Sequence, residues 1–213
     1  MAFGRRAGQG RVVRFALASA WRRSRYAFHA GPLYGWRYLG PAPDRLVIAP
    51  TDLPTAHPTI AHDIYAGRYV FAGEAVDVSG FSVFEVEPPS RAWAAGLHGF
   101  GWLRHLRASD LAVSRQNARA LIDEWIRFQK SHDRIATDPV VMARRISSWL
   151  AQTPLVLEGC DHGFYRRFMR SLTRQVRSLR RVAHDVPPGR PRLSVALALA
   201  AAALSLADQN RFV

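Results

Sequence analysis

The chain has 213 residues, enough for one large domain or two small ones, and its 48% hydrophobic and 22% charged content excludes wholesale disorder. Its 30 basic residues oppose 16 acids for a formal net charge of +14, and every base but Lys130 is arginine. Such a balance attracts polyanions, whether nucleic acid, anionic membrane or acidic polysaccharide, although GC-rich coding produces the same arginine bias. The single cysteine, Cys160, excludes an intrachain disulfide and a cysteine-based zinc site, and is read as a small apolar packing residue.

Residues 1–43 form a basic leader followed by a Gly/Pro/aromatic stretch, GPLYGWRYLGPAP. The start imitates a secretory signal, but Arg14 interrupts its apolar run. It is therefore read as an uncleaved amphipathic basic helix, and a cytoplasmic or membrane-peripheral location is expected. Residues 44–90 are mixed. RLVIAP reads as an extended run, PTIAHDIYAG as a brief helix closed by Gly67, and RYVFAGEAVDV and FSVFEVE as strand-like pieces. Glu85 and Glu87 would share a face of that last strand.

From Ser90, a plausible N-cap, the pattern is helical. Trp93, Leu97, Phe100, Leu103 and Leu106 recur every three or four residues. A second helix, from about Ser109, presents Leu111, Ala118, Leu121, Ile122, Trp125 and Ile126. Asp138-Pro139, a cap with proline at the first helical position, opens a third through Val141, Ile146, Trp149 and Leu150. The fourth places Phe164, Phe168, Leu172, Val176, Leu179 and Val182 on one side, with Arg166, Arg167, Arg170, Arg174, Arg177 and Arg180 over much of the rest. After DVPPGRP comes a nearly all-apolar run over 193–207. A membrane span needs about 18–20 such residues, so a helix buried on all sides is expected instead. Five helices with short links predict a mainly α protein of antiparallel hairpins.

The segment LHGFGWLRHLR, residues 97–107, concentrates the side chains that bear chemistry. Offsets of three, four and seven place His98, Trp102 and His105 on one helical face, where they can line a groove or belong to the core. Trp102 can stack on a sugar or base, and Arg104 can pair with a carboxylate or phosphate. Arg145 and Trp149, four apart on the third helix, suit either an anion contact beside a stacking platform or an arginine lying over a buried indole. The spacing of His98 and His105 does not suit a metal pair. No metal site, cofactor loop or paired carboxylate for acid–base work stands out. The arginine-rich helix is either a solvated face or a polyanion contact.

Four segments point to a family. RLVIAPTDLPTAHPTIAHDIYAGRYVFAGEAVD, FEVEPPSRAWAAGLHGFGWLRHLR, DPVVMARRISSWL and LVLEGCDHGFYRRFMRSLTRQVRSLRR together resemble the heparinase II/III-like proteins of the alphaproteobacterial type, over roughly residues 30–208. The resemblance implies an incomplete (α/α) toroid of helical hairpins over residues 91–213, with the family's C-terminal β-sandwich absent. The implied chemistry is β-elimination on a uronate-containing polysaccharide. There an asparagine and a histidine stabilise the developing enolate while a tyrosine or histidine removes the proton.

The family's asparagine segment follows the all-apolar helix, and no residue of 1–213 matches it or the later tyrosine and histidine. The resemblance therefore implies no catalytic residue here, and an N-terminal portion inactive alone. Its partners would be an acidic polysaccharide and the missing C-terminal part of its own chain. His98, Trp102, His105, Arg145 and Trp149 remain as candidate substrate-binding residues. The alternative is a basic helical protein binding nucleic acid, or anionic membrane, through its arginine-rich helices.

Overall fold

The computed structural model describes residues 43, 45–78, 80–109, 112–128 and 134–206. The leader read over 1–43 thus lies outside the described residues except for Pro43, as do Leu111 and the end of the expected helix at Ala207. The described residues form eight α-helices and one two-stranded antiparallel sheet.

The mixed segment begins as an extended run, where Leu46 bridges Leu206 and the Val47 N–H donates to Ser205 O at 2.7 Å. Helix α1 (Pro58–Tyr65) has proline in its first turn, where the missing N–H costs nothing. Gly67, at φ +79°, closes the turn after α1 as expected, and a Cβ there would collide with Val78 O. Strands β1 (Arg68–Phe71) and β2 (Glu74–Asp77) pair with Arg68 opposite Asp77 and Phe71 opposite Glu74. Their two-residue turn, Ala72-Gly73, has both φ values positive, the twist a tight hairpin needs.

FSVFEVE departs from expectation: it is a run of bends and turns, so Glu85 and Glu87 share no strand face. The Ser82 hydroxyl accepts from the Phe84 N–H at 3.1 Å and Ser82 O accepts from the Glu85 N–H, local bonds that compete with a ladder. Val83 still anchors the segment in the core.

Helix α2 (Arg91–Gly99) starts where Ser90 accepts from the Trp93 N–H at 3.1 Å and donates to the Glu74 carboxylate. The stretch expected to run on to Leu106 breaks at Phe100, whose left-handed φ of 56° caps α2; the chain resumes as α3 (Leu103–Ser109). Helix α4 (Ala112–Phe128) buries Ala118, Leu121, Ile122 and Trp125. In α5 (Pro139–Ala151), Asp138 accepts from the Val140 and Val141 N–H groups, as the Asp-Pro cap predicts.

A short helix absent from the sequence reading, α6 (Thr153–Leu157), follows. Arg119 reaches across from α4 to its end, donating from Nε to Val156 O at 2.8 Å and from Nη2 to Glu158 O. Helix α7 (His162–Val182) buries the expected apolar face, and the Asp161 carboxylate caps it by accepting from the Phe164 N–H at 2.9 Å.

Helix α8 (Arg190–Ser205) departs from the all-round burial expected of it. Val195, Ala198 and Ala202 are buried, whereas Leu193 is 59% exposed and Leu197 and Leu204 are each 61% exposed. The reason is positional: α8 packs on α5 and α7, and among the described residues nothing covers its other face. No helix among the described residues is long and apolar enough to cross a membrane.

Helix α5 sits at the centre, packed against α2, α7 and α8, while α4 bridges α3 and α7. One contiguous apolar cluster runs through all of them.

Candidate functional site

The five residues singled out from the sequence fall into two environments, and the break at Phe100 ends the face that a continuous helix would give His98, Trp102 and His105. Four lie in the core. Trp149 has no exposed surface; its ring stacks on Phe168 at 5.0 Å, and Phe100 and Trp125 meet it edge-on at 5.5 and 5.6 Å. Such edge-to-face aromatic contacts add about 0.5–1.5 kcal/mol each beyond area burial. Trp102 packs 5.0 Å from Phe100 and donates its indole N–H to Leu97 O at 3.0 Å. His98 packs beside Phe84, and its Nδ1 accepts from the Trp125 indole N–H at 3.2 Å.

Arg145 is the unexpected member, only 1% exposed. Its Nε donates to Gln175 Oε1 at 2.6 Å, Nη1 to His98 O at 2.8 Å and Nη2 to Ala136 O at 3.0 Å, while the guanidinium lies 4.2 Å over the Trp125 ring. The pairing expected from spacing is thus corrected: the guanidinium lies over the buried indole of Trp125 on α4, not over Trp149 four residues along its own helix. Burial pushes its pKa down to about 9, so the group stays cationic near neutral pH. One side chain on α5 thus ties together the C-terminal turn of α2, the turn before α5, and α7. With its donors turned inward and Trp149 enclosed, this pair presents no anion contact or stacking face to solvent.

His105 alone of the five stands at the surface, half-buried, in a polar junction assembled from distant parts of the chain. Its Nδ1 accepts from the His57 backbone N–H at 3.0 Å, and the two imidazoles stack with centroids 6.0 Å apart. Next to it, Arg104 Nε lies 3.3 Å from Asp52 Oδ2, which also accepts from Gln152 Nε2 at 2.8 Å. Burial first, then Arg104 and His57, hold the His105 pKa below the ordinary histidine value, with Asp52 opposing.

One turn on, the Ser109 and Ser114 hydroxyls and the Tyr65 phenol are mutually hydrogen-bonded at 2.7 to 2.9 Å, joining α1, α3 and α4. The sequence reading missed Asp52, His57 and Gln152, because Asp52 and Gln152 stand 100 positions apart. The proline-rich DLPTAHP stretch was the available sign of an extended strap that needs anchoring.

Among the described residues no group of three or more His, Cys, Asp or Glu is placed to hold a metal ion. A second clip lies across α4 and α7. Asp123, nearly buried, accepts from Arg127 Nη2 at 2.5 Å and from Arg167 Nε at 2.6 Å, and its hydrogen bond raises the Arg167 pKa. The remaining basic side of α7 includes Arg166, Arg170 and Arg180, all exposed.

No protein-family profile, no curated protein and no solved structure matches this chain.

Proposed function

We propose that this chain is the N-terminal scaffold portion of a heparinase II/III-like polysaccharide lyase, its residues 91–213 part of an incomplete (α/α) toroid. In this reading, β-elimination on a uronate-containing polysaccharide is carried out by residues outside 1–213. The four quoted segments support the family, and the stack of helices after Ser90 is compatible with it.

The observation that carries the reading is α8. One of its faces is packed on α5 and α7 while Leu193, Leu197 and Leu204 present a second apolar face, the surface on which a further hairpin of a toroid would stack. The junction around Arg104 and His105 is the surface-accessible place where an acidic sugar would meet this portion.

The test is enzymatic. Purified 1–213 incubated with a panel of uronate polysaccharides is expected to give no rise in the ultraviolet absorbance of an unsaturated uronate. A rise would contradict the assignment of catalysis to other residues. Exposed leucines on α8 that become protected when an added C-terminal portion restores activity would support the scaffold role.

A second reading, a basic protein binding nucleic acid or anionic membrane, is favoured by Arg166, Arg170 and Arg180 on the exposed side of α7. Salt-dependent DNA binding, or vesicle flotation, that is lost when these three arginines are replaced by glutamine would select it over the lyase reading.

A further inference from the structure

The junction that holds His105 has a property independent of the lyase reading. We propose that His105 is a pH-sensitive latch: neutral, it holds the strap of residues 51–57 against α3, and protonated, it releases that strap and uncovers Arg104 and Gln152.

The strap is anchored at two points. Near its start, Asp52 accepts from Gln152 Nε2 at 2.8 Å and lies 3.3 Å from Arg104 Nε. At its end, the His57 N–H donates to His105 Nδ1 at 3.0 Å. His57 is also the N-cap of α1, in an extended conformation with no side-chain cap of its own, and Pro58 after it has no N–H to offer. The His105 bond is therefore what fixes the entry into α1 from outside.

An imidazole nitrogen accepts a hydrogen bond only while it is unprotonated; an imidazolium has two donors and no acceptor. Protonation of Nδ1 would thus point N–H at N–H. It would also place a new cation beside the guanidinium of Arg104 on the same helix and against the stacked His57 ring. Among the described residues the opposing charge is Asp52 from the strap, whose carboxylate Arg104 and Gln152 already share. From α1 and α4, the groups meeting α3 nearby are the hydroxyls of Tyr65 and Ser114, and Arg107 is directed to Ala151 O. The balance around the ring favours the neutral form, in accord with its depressed proton affinity.

Release has something to uncover. Gln152 is 1% exposed and its Oε1 has no hydrogen-bond partner, and the buried Arg104 Nε lacks hydrogen-bond geometry to Asp52 despite the short separation. The closed strap leaves these two atoms with unused bonding capacity, so their hydration on opening offsets part of the cost of breaking the Asp52–Gln152 bond and the Arg104 ion pair.

The deciding experiment is a pH titration of the intact chain by nuclear magnetic resonance, following the His105 ring and the His57 amide. Expected are a neutral His105 with unprotonated Nδ1 near neutrality and a His105 midpoint below the ordinary 6.5. The His57 amide shift and its loss of exchange protection should share that midpoint. His105→Gln, whose side-chain oxygen accepts without titrating, should keep the amide protected and flatten its pH response. His62→Gln, at an exposed histidine on α1, should leave the response unchanged. A His57 amide indifferent to His105 protonation, or an unaltered response in His105→Gln, would overturn the proposal. The wild-type titration decides even where a variant folds poorly.

Discussion

The core around Arg145 and the junction around His105 are built from the same eleven-residue stretch and behave as opposites. In the core, His98, Phe100 and Trp102 join Trp125, Trp149 and Arg145, and the hydrogen bonds of Trp102, Trp125 and Arg145 are directed to partners inside the protein. At the junction, Arg104 and His105 meet a strap whose anchoring acid serves two donors and whose histidine bond depends on protonation. Two histidines seven positions apart thus acquire different roles, one locked beneath Trp125 and one adjustable at the surface. The lesson is that side-chain chemistry alone does not mark a site. The helix break at Phe100 decides which residues face inward.

The contrast can be broken most severely at Trp149. Trp149→Ala should lower stability by about 4 kcal/mol, read as a shift of the urea midpoint, because the cavity is walled by stacked rings that cannot collapse. Trp149→Phe should cost less than about 1.5 kcal/mol, since the indole N–H it removes is buried without an acceptor among the described residues. Arg145→Met should cost about 3 kcal/mol. It strands His98 O, Ala136 O and Gln175 Oε1 without a donor, partly offset by removing a desolvated cation.

Smaller effects sharpen the boundary between the two regions. Ser90→Ala should cost about 1 kcal/mol through the lost cap of α2, leaving the junction intact. The junction itself should contribute the smallest effect, through pH. His105 binds its proton less readily folded than unfolded, so the unfolded chain takes up more protons as pH falls below 6.5. Its contribution to stability should therefore be full above that value and decline through the lower folded midpoint. A denaturation series across that range, compared in wild type and His105→Gln, reads the difference.

Much of the scaffold was legible in the sequence because apolar periodicity and capping chemistry are local. Asp138-Pro139 opens α5 as expected, and the apolar faces of α4, α5 and α7 are those that the spacing picks out. The break at Phe100 was harder, because a left-handed phenylalanine has no propensity signal; the flanking Gly99 and Gly101 were the clue. FSVFEVE has strand composition, but Ser82 bonds the backbone of Phe84 and Glu85 locally, in turns that composition does not report. The outer face of α8 misled for a related reason: composition reports how apolar a helix is, not how many neighbours cover it. For the candidate site, residue type found His105 and Arg104, while Asp52, His57 and Gln152 depend on contacts between parts of the chain far apart in sequence.

Native-state hydrogen exchange of two protons tests the division between locked core and adjustable junction most directly. The Trp125 indole N–H, held by His98 inside the ring cluster, should exchange only through global unfolding. The His57 amide should exchange through a local opening far below that free energy, and faster as His105 becomes protonated. Equal protection of the two protons, or a Trp125 indole that exchanges by local opening, would contradict the account.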